Sequence, residues 1–461
     1  MVGDLPGSGR KLFILILVLT LDLLSFTCIL PLFPSIIEYY SRQARLPENG
    51  GDVVYEYFES SAKWLQSIVY VPDLQRYNTV FFAGIIGSLF SFLQYLSSPI
   101  LGALSDVYGR KPILILSILG SLASYYLWSI ADTFGVFIVS RIVGGLSKAS
   151  VSVAIAVVTD ICPISSRGKG MAFVGIAFSC AFIIGPAIGA YFAASAAAAV
   201  KATTDNIVHL NTAPAKFALF VTFLELVLAL LFLPETLTKP RMKLREIVQS
   251  TYNYIHPKAL FEFKVVGKEN NKLLRCYGQI YFYYLFLYSG LEFTLCFLTH
   301  IRFQYGSSQQ GKLYLFTGVL MVILQGIFAG FVRRIPLDRQ QPTALLGLAA
   351  ITPAFLLMSM AFNETLLYIS LALFSCASAI VVPCLTTLVS AQCDESKKGS
   401  CMGVFRSIGA LSRACGPIFG SLMFWLMGPT MCYLIGGILL VIPFLLMKRI
   451  NNETSNSVKT V

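Results

Sequence analysis

The chain has 461 residues, 56% hydrophobic and 13% charged, with a mean hydropathy of +0.72 and a net charge of +12. A soluble protein carries about 25% charged residues, so a water-soluble chain of this composition is excluded and the class is integral membrane protein. The basic balance is not a nucleic-acid signature either, because no Arg/Lys cluster is interleaved with aromatics on a soluble domain.

Apolar segments of about twenty residues, each long enough to cross a bilayer as a helix, are predicted near 12–37, 79–100, 112–131, 134–158, 169–194, 215–233, 278–300, 312–331, 341–361, 365–390, 401–425 and 430–447. They are too long and too uniformly apolar for the alternating strands of a β-barrel. Arg10 and Lys11 precede the first span, but no small-residue cleavage site follows, so it reads as a retained helix rather than a signal peptide. After the sixth span "LPETL" opens the polar loop 234–277, in which 241–262 is predicted as a short amphipathic surface helix. The expected organisation is a six-helix half over 1–233, a basic linker over 234–277, and a second six-helix half with a short tail over 278–461.

Lys and Arg are unequally shared between the two sides of these spans, 23 on the side of the termini against 8 on the other, which places both termini in the cytoplasm. The eleven cysteines fall in spans or on the cytoplasmic side, none in the long outer loop 38–78, and are expected to be free thiols. They show no metal-ligand spacing, and only three histidines are present.

Residues 167–190, "RGKGMAFVGIAFSCAFIIGPAIGA", align without gaps on 398–421, "KGSCMGVFRSIGALSRACGPIFGS", at an offset of 231, half the chain. Gly185-Pro186 coincides with Gly416-Pro417, and Gly189 with Gly420. The fifth and eleventh spans are therefore equivalent parts of a parallel repeat. Pro bends a helix and Gly admits a close neighbour, so these positions are read both as packing sites and as a bend at which the halves rock.

"GALSDVYGRK" at 102–111, between the second and third spans, resembles the signature loop of the major facilitator superfamily through Gly102, Leu104, Ser105, Asp106, Gly109, Arg110 and Lys111; Val107 departs from it. "RIVGG" at 141–145 is similar to the family's fourth-span motif, and "GPAIGA" at 185–190 to the fifth-span motif of drug:proton antiporters. "SGLEFTLCFLTHIRFQYGSSQQGKL" and "RYNTVFFAGIIGSLFSFLQYLSSPILGALSD" narrow the resemblance to the animal tetracycline transporter-like proteins, a group thought to move organic anions, anti-inflammatory drugs among them. The resemblance implies the major facilitator fold, twelve transmembrane helices in two pseudo-symmetric halves, with spans 1, 4, 7 and 10 lining a central cavity. It also implies that Asp106 latches onto the start of the eleventh span. The residues themselves suggest tight turns at Gly102 and Gly109, and Arg110 and Lys111 anchoring at headgroup level. "GFVRRIPLDR" at 330–339 is a degenerate counterpart in the second half.

Charges inside the spans are few: Asp22, Arg141, Lys148, Glu225, Glu292, Arg406 and Arg413. Each costs about 2.5–3.5 kcal/mol at a helix centre on insertion scales, so they are expected to face a cavity or partners. All but Glu225 lie on spans that the resemblance puts at or beside the cavity, where four bases outnumber two acids. That surplus favours an anionic substrate, with Arg413, Lys148, Arg141 and Arg406 as candidate contacts. Asp22 and Glu292 are candidate proton-coupling sites. Arg141 is alternatively a structural partner of Asp22. Glu225 is expected to make a local helix–helix bond. The aromatics at 281–288 read as interface belt and packing, with Tyr284 and Tyr288 as candidates for the cavity wall.

No P-loop and no Ser/His/Asp or metal constellation is present, so neither an ATP-driven pump nor an enzyme is expected, and no cofactor. The expected function is secondary active transport of organic anions by alternating access, with drug-like carboxylates or tetracycline-type compounds as substrates and protons as the coupling ion. Its partners are small organic anions, protons and the lipid bilayer, not nucleic acid. The expected state is a multi-pass monomer in the plasma membrane or an endomembrane. The alternatives are a non-transporting sensor or interaction protein of the same fold, and a transporter of a neutral solute such as a sugar.

Overall fold

The computed structural model describes residues 8–29, 32–44, 52–69, 75–162, 170, 173–178, 180–189, 191–192, 212–237, 255–264, 271–332, 337–393 and 398–459. Their regular structure is helical: α1 (Ser8–Thr27), α2 (Phe33–Gln43), α3 (Val53–Val69), α4 (Gln75–Tyr108), α5 (Arg110–Ser129), α6 (Phe134–Ser147), α7 (Ser150–Ile161), α8 (Phe173–Gly189), α9 (Thr212–Phe232), α10 (Pro257–Phe261), α11 (Lys272–Phe303), α12 (Ser307–Val332), α13 (Leu337–Ser359), α14 (Glu364–Gln392), α15 (Lys398–Leu439) and α16 (Val441–Lys459). Eight stretches among the described residues are long and apolar enough to cross a bilayer. The last of them runs 52 residues, from Cys401 to Asn452. At about 1.5 Å per residue that exceeds one pass through a ~30 Å layer. Gly428, at φ 75° and ψ 175°, breaks it into two arms, a backbone conformation that a side chain would resist. Helices α1, α8 and α12 occupy the remaining predicted spans, and the fold is an all-α polytopic membrane protein.

Two compact units are present: Met1–Gln249 with Cys296–Leu315, and Ser250–Leu295 with Phe316–Val461. In the first, α5 packs against α6 and α9, α4 against α6, and α1 against α9 and α7. Its core joins Leu15 and Leu19 of α1, Leu114 of α5, Val157 of α7, Ala177 of α8 and Ala229 of α9. In the second, α13 packs against α14 and α15. The sidedness of α9 shows how a bilayer reverses the usual pattern. Ala218, Thr222, Glu225 and Ala229 are buried, while Phe220, Phe223, Leu224 and Leu231 are exposed where lipid replaces water as the solvent.

Three expectations need correction. The first span ends at Thr27, not near 37, and the 38–78 loop carries its own helices, α2 and α3. Pro34 sits in the first turn of α2, where its missing N–H costs nothing. These helices are fastened to the unit: Tyr40 Oη donates to the Ala131 carbonyl at 2.8 Å, and Asp52 accepts from the Val54, Tyr55 and Phe134 N–H groups. Second, the fourth span is broken: α6 stops at Ser147 and α7 restarts at Ser150, with Lys148 at φ −78°, ψ 81° between them. Third, Cys393 and Cys401 are joined in a disulfide, because the end of α14 and the start of α15 bring thiols eight residues apart together; the nine other cysteines form no disulfide. Of the predicted amphipathic helix at 241–262, residues 241–254 lie outside the described residues, as do 333–336 of the degenerate second loop.

The duplicated Gly-Pro segment makes the same kind of contact in each unit. Gly185 and Gly189 of α8 press on Thr27 and the Cys28 backbone at the end of α1, where Thr27 Oγ1 donates to the Ala181 carbonyl at 2.8 Å. Gly416 and Gly420 of α15 press on Gly290 of α11, and a Cβ at 420 would fall 2.6 Å from the Gly290 carbonyl oxygen. Each copy lets the backbones of two spans touch, which is how helices gain contact energy where burial from water supplies none.

Candidate functional site

The 102–111 loop is a bonded corner. Gly109 adopts φ 105° as α4 turns into α5, a conformation that favours glycine. Arg110 is 2% exposed rather than anchored at headgroup level. Its Nη2 pairs with Asp106 Oδ1 at 2.7 Å, its Nε with Asp160 Oδ2 at 2.9 Å, and its Nη1 donates to Ser105 Oγ at 2.6 Å. A buried guanidinium needs this many acceptors to offset its lost hydration. The Arg110 and Lys111 N–H groups, the first of α5, donate to Glu235 at 3.0 Å each, and Thr236 and Leu237 add two more bonds at 2.8 Å. A carboxylate at a helix N-terminus satisfies orphan donors and meets the positive end of the dipole. Partial burial works to raise the Glu235 pKa, but the four backbone donors outweigh it and hold the carboxyl below its ordinary value. Neither Glu235 nor Asp160 was singled out from the sequence; "LPETL" marked only the end of a span. Gly102 lies along α4 beside Ser152 of α7 rather than in a tight turn.

Inside the first unit, Asp22 and Lys148 are 1% and 3% exposed, and Lys148 Nζ donates to Asp22 Oδ1 at 2.5 Å. Ser150 Oγ donates to the other carboxylate oxygen. The helix break places these donors: Lys148 leaves α6 and Ser150 opens α7, so both converge on one carboxylate of α1. Lys148 therefore spends its charge on Asp22, and the expected Asp22–Arg141 partnership does not form. Arg141, 3% exposed, instead stacks over Trp128 at 5.2 Å and Phe137 at 5.3 Å. Its Nε bonds only Ser140 Oγ at 3.3 Å, and Nη2 has no hydrogen-bond partner among the described residues. Glu225 makes no helix–helix bond either: at 0% exposure, neither carboxyl oxygen has a partner among the described residues.

The second unit is arranged differently. Arg413 is exposed, and no ion pair within 4.0 Å engages it among the described residues; Glu292 feels its charge. Arg406, seven residues earlier on α15, is half-buried and feels Tyr281 and Arg413. Glu292 accepts from Tyr288 Oη at 3.2 Å, and Ser378 Oγ of α14 donates to the same phenol at 3.0 Å. The structure thus brings Glu292 and Arg413 into one electrostatic neighbourhood, with Tyr288 as a bonded member of it. Among the described residues no cluster of His, Cys, Asp and Glu could hold a metal ion.

Residues 15–417 match the model of the Major Facilitator Superfamily. The chain is 37% identical to mouse major facilitator superfamily domain-containing protein 10, covering 98% of this chain and 95% of that protein. It is 26% identical to the class D tetracycline resistance protein of Salmonella ordonez over 95% of this chain and 98% of that protein. The crystal structure of the human organic anion transporter MFSD10 (TETRAN) superposes with a TM-score of 0.76 at 36% identity, covering 96% of this chain and all of that one. By its fold and these likenesses the chain is a multi-pass membrane transporter, not an enzyme, belonging to the major facilitator superfamily.

Proposed function

We propose that the protein is a secondary active transporter of organic anions, working by alternating access and driven by protons, with Arg413 as the principal anion contact and Arg406 behind it. The observation that carries this reading is the exposed Arg413 of a membrane-spanning helix, which no acid pairs at salt-bridge distance among the described residues. A permanent cation kept in that state costs free energy unless a visiting anion repays it, and a carboxylate takes a guanidinium in a bidentate pair. The similarity to a human protein described as an organic anion transporter supports the substrate class, and the tetracycline resistance relatives support drug-like members of it.

In the first unit, Arg141 keeps one uncommitted guanidinium nitrogen as a further anion contact, whereas Lys148 is released only when Asp22 takes up a proton. Asp22 and Glu292 are the proton sites of this reading, each a buried or bonded carboxyl whose charge a neighbouring base counts on. The Gly-Pro positions Gly185, Pro186, Gly189, Gly416, Pro417 and Gly420 serve as contacts over which spans move, and Gly102, Asp106, Gly109 and Arg110 as the corner that holds one state. The protein acts as a monomer with cytoplasmic termini, in the plasma membrane or an endomembrane.

The test is uptake and efflux of a panel of labelled organic anions in proteoliposomes under an imposed pH gradient, with Arg413→Ala alongside. Gradient-dependent anion movement that Arg413→Ala lowers about ten- to hundredfold is the expected result; transport of none of the anions, or full transport in the variant, defeats the proposal.

A further inference from the structure

Helix α9 carries two polar side chains that its surroundings leave unanswered. Glu225 and Thr222, three residues apart and hence on one face, are each 0% exposed, and neither the two carboxyl oxygens nor Thr222 Oγ1 has a hydrogen-bond partner among the described residues. That face is packed against α5 and α1. The ionisable groups it meets there are Asp22 of α1, Lys148 at the break between α6 and α7, and Tyr125 of α5. Arg141 borders the same cluster through Tyr125, which is an electrostatic neighbour of both Arg141 and Glu225.

An isolated carboxylate with neither water nor a donor is among the least tolerable groups in a protein interior, so Glu225 is neutral here and carries a proton. The acid next to it is the reverse case. The Lys148 ammonium and the Ser150 hydroxyl both donate to Asp22. Lys148 is thus the ion-pair partner of Asp22 and an electrostatic neighbour of Glu225. Lys148 also sits where the helix is already broken, so a change of partner costs no additional helical hydrogen bond.

We propose that Glu225 is a proton-binding site in the first unit, exchanging its proton with Asp22 across the shared counter-ion Lys148. In the structure the proton resides on Glu225 and Lys148 pairs with Asp22. In the exchanged state Asp22 is protonated, Glu225 is ionised, and Lys148 turns to Glu225. One O–H bond breaks as another forms, and the total charge of the three groups stays at zero, so no bare charge is created within the membrane. The exchange rests on the proton-linked reading of Asp22 given above; the protonation of Glu225 in this conformation does not.

Infrared spectroscopy of the full-length protein in detergent reads the proton directly, without transport. At neutral pH the wild type shows a protonated-carboxyl carbonyl band that Glu225→Gln removes. Asp22→Asn, which mimics a neutral Asp22, removes the same band because Glu225 then ionises against Lys148. Adding Lys148→Gln to Asp22→Asn brings the band back. Carbon-13 glutamate moves the band both in the unsubstituted protein and in Glu292→Gln, which assigns it to a glutamate other than Glu292 even where a Glu225 variant does not fold. Absence of any glutamate-derived band at neutral pH, or a Glu225 band that persists in folded Asp22→Asn, overturns the proposal. Loss of pH-gradient dependence in proteoliposomes is scored separately, so a failure of proton-coupled transport is distinguishable from a failure at Glu225.

Discussion

The two copies of the Gly-Pro segment share a scaffold and differ in charge. In α8 and α15 the same glycines bring a span against the first span of its own unit, Gly189 on Cys28 and Gly420 on Gly290. The positions that hold Arg406 and Arg413 in α15 hold Gly175 and Phe182 in α8. The first unit pairs two of its buried cations, Lys148 with Asp22 and Arg110 with two aspartates, and leaves Arg141 stacked on aromatic rings with no ion pair among the described residues. The second keeps Arg413 exposed. The packing is common to both copies, and the two arginines belong to one of them, the copy to which the proposed function assigns the anion contact.

Four measurements press on this contrast. The largest effect is expected from Lys148→Met, which strands the Asp22 carboxylate and costs about 3–5 kcal/mol of stability. Thermal unfolding in detergent should show that loss and its substantial recovery in Asp22→Leu/Lys148→Met; a double variant no better than the single would mean that the pair is not mutually neutralised. Arg413→Ala is expected to lower organic-anion transport about ten- to hundredfold, the worth of a charged hydrogen bond of about 1.5–3 kcal/mol, and to leave the melting temperature nearly unchanged. A large drop in melting temperature would instead make Arg413 part of the scaffold.

The glycines test the shared half of the comparison. Gly189→Val and Gly420→Val should each cost about 1–3 kcal/mol through forced separation of two helices, and by similar amounts; a loss in only one copy would break the equivalence. The smallest effect belongs to Glu235. Because its folded pKa is lowered, its contribution is fully present above the ordinary glutamate pKa and disappears as pH falls through the lowered value. Wild type should therefore melt slightly above Glu235→Gln at neutral pH, and the two curves should merge in acid.

What was readable in advance follows from the kind of information each feature needs. Predicted spans and observed helices agree within several residues for most of the chain, because twenty apolar residues in a row are a local property. The first span is the exception: its apolar run continues past Thr27 into α2, and hydropathy alone cannot show a break between two apolar helices. Among the charges, position along each span was readable in the sequence, but partnership was not.

Composition and the half-chain repeat determined by themselves that this is a membrane protein with an internal repeat, since hydropathy and repetition are written along the chain; that it is a transporter was legible only through the resemblance of its motifs to the major facilitator superfamily. Only the tertiary structure decided that Asp22 pairs with a lysine 126 residues away rather than with Arg141, that Arg110 is buried between two acids, that the Glu225 carboxyl has no hydrogen-bond partner among the described residues, and that Cys393 meets Cys401. A buried charge is answered by whichever side chain the helix packing and a break such as that at Lys148 bring within about 3 Å, and no pattern in one dimension contains that distance.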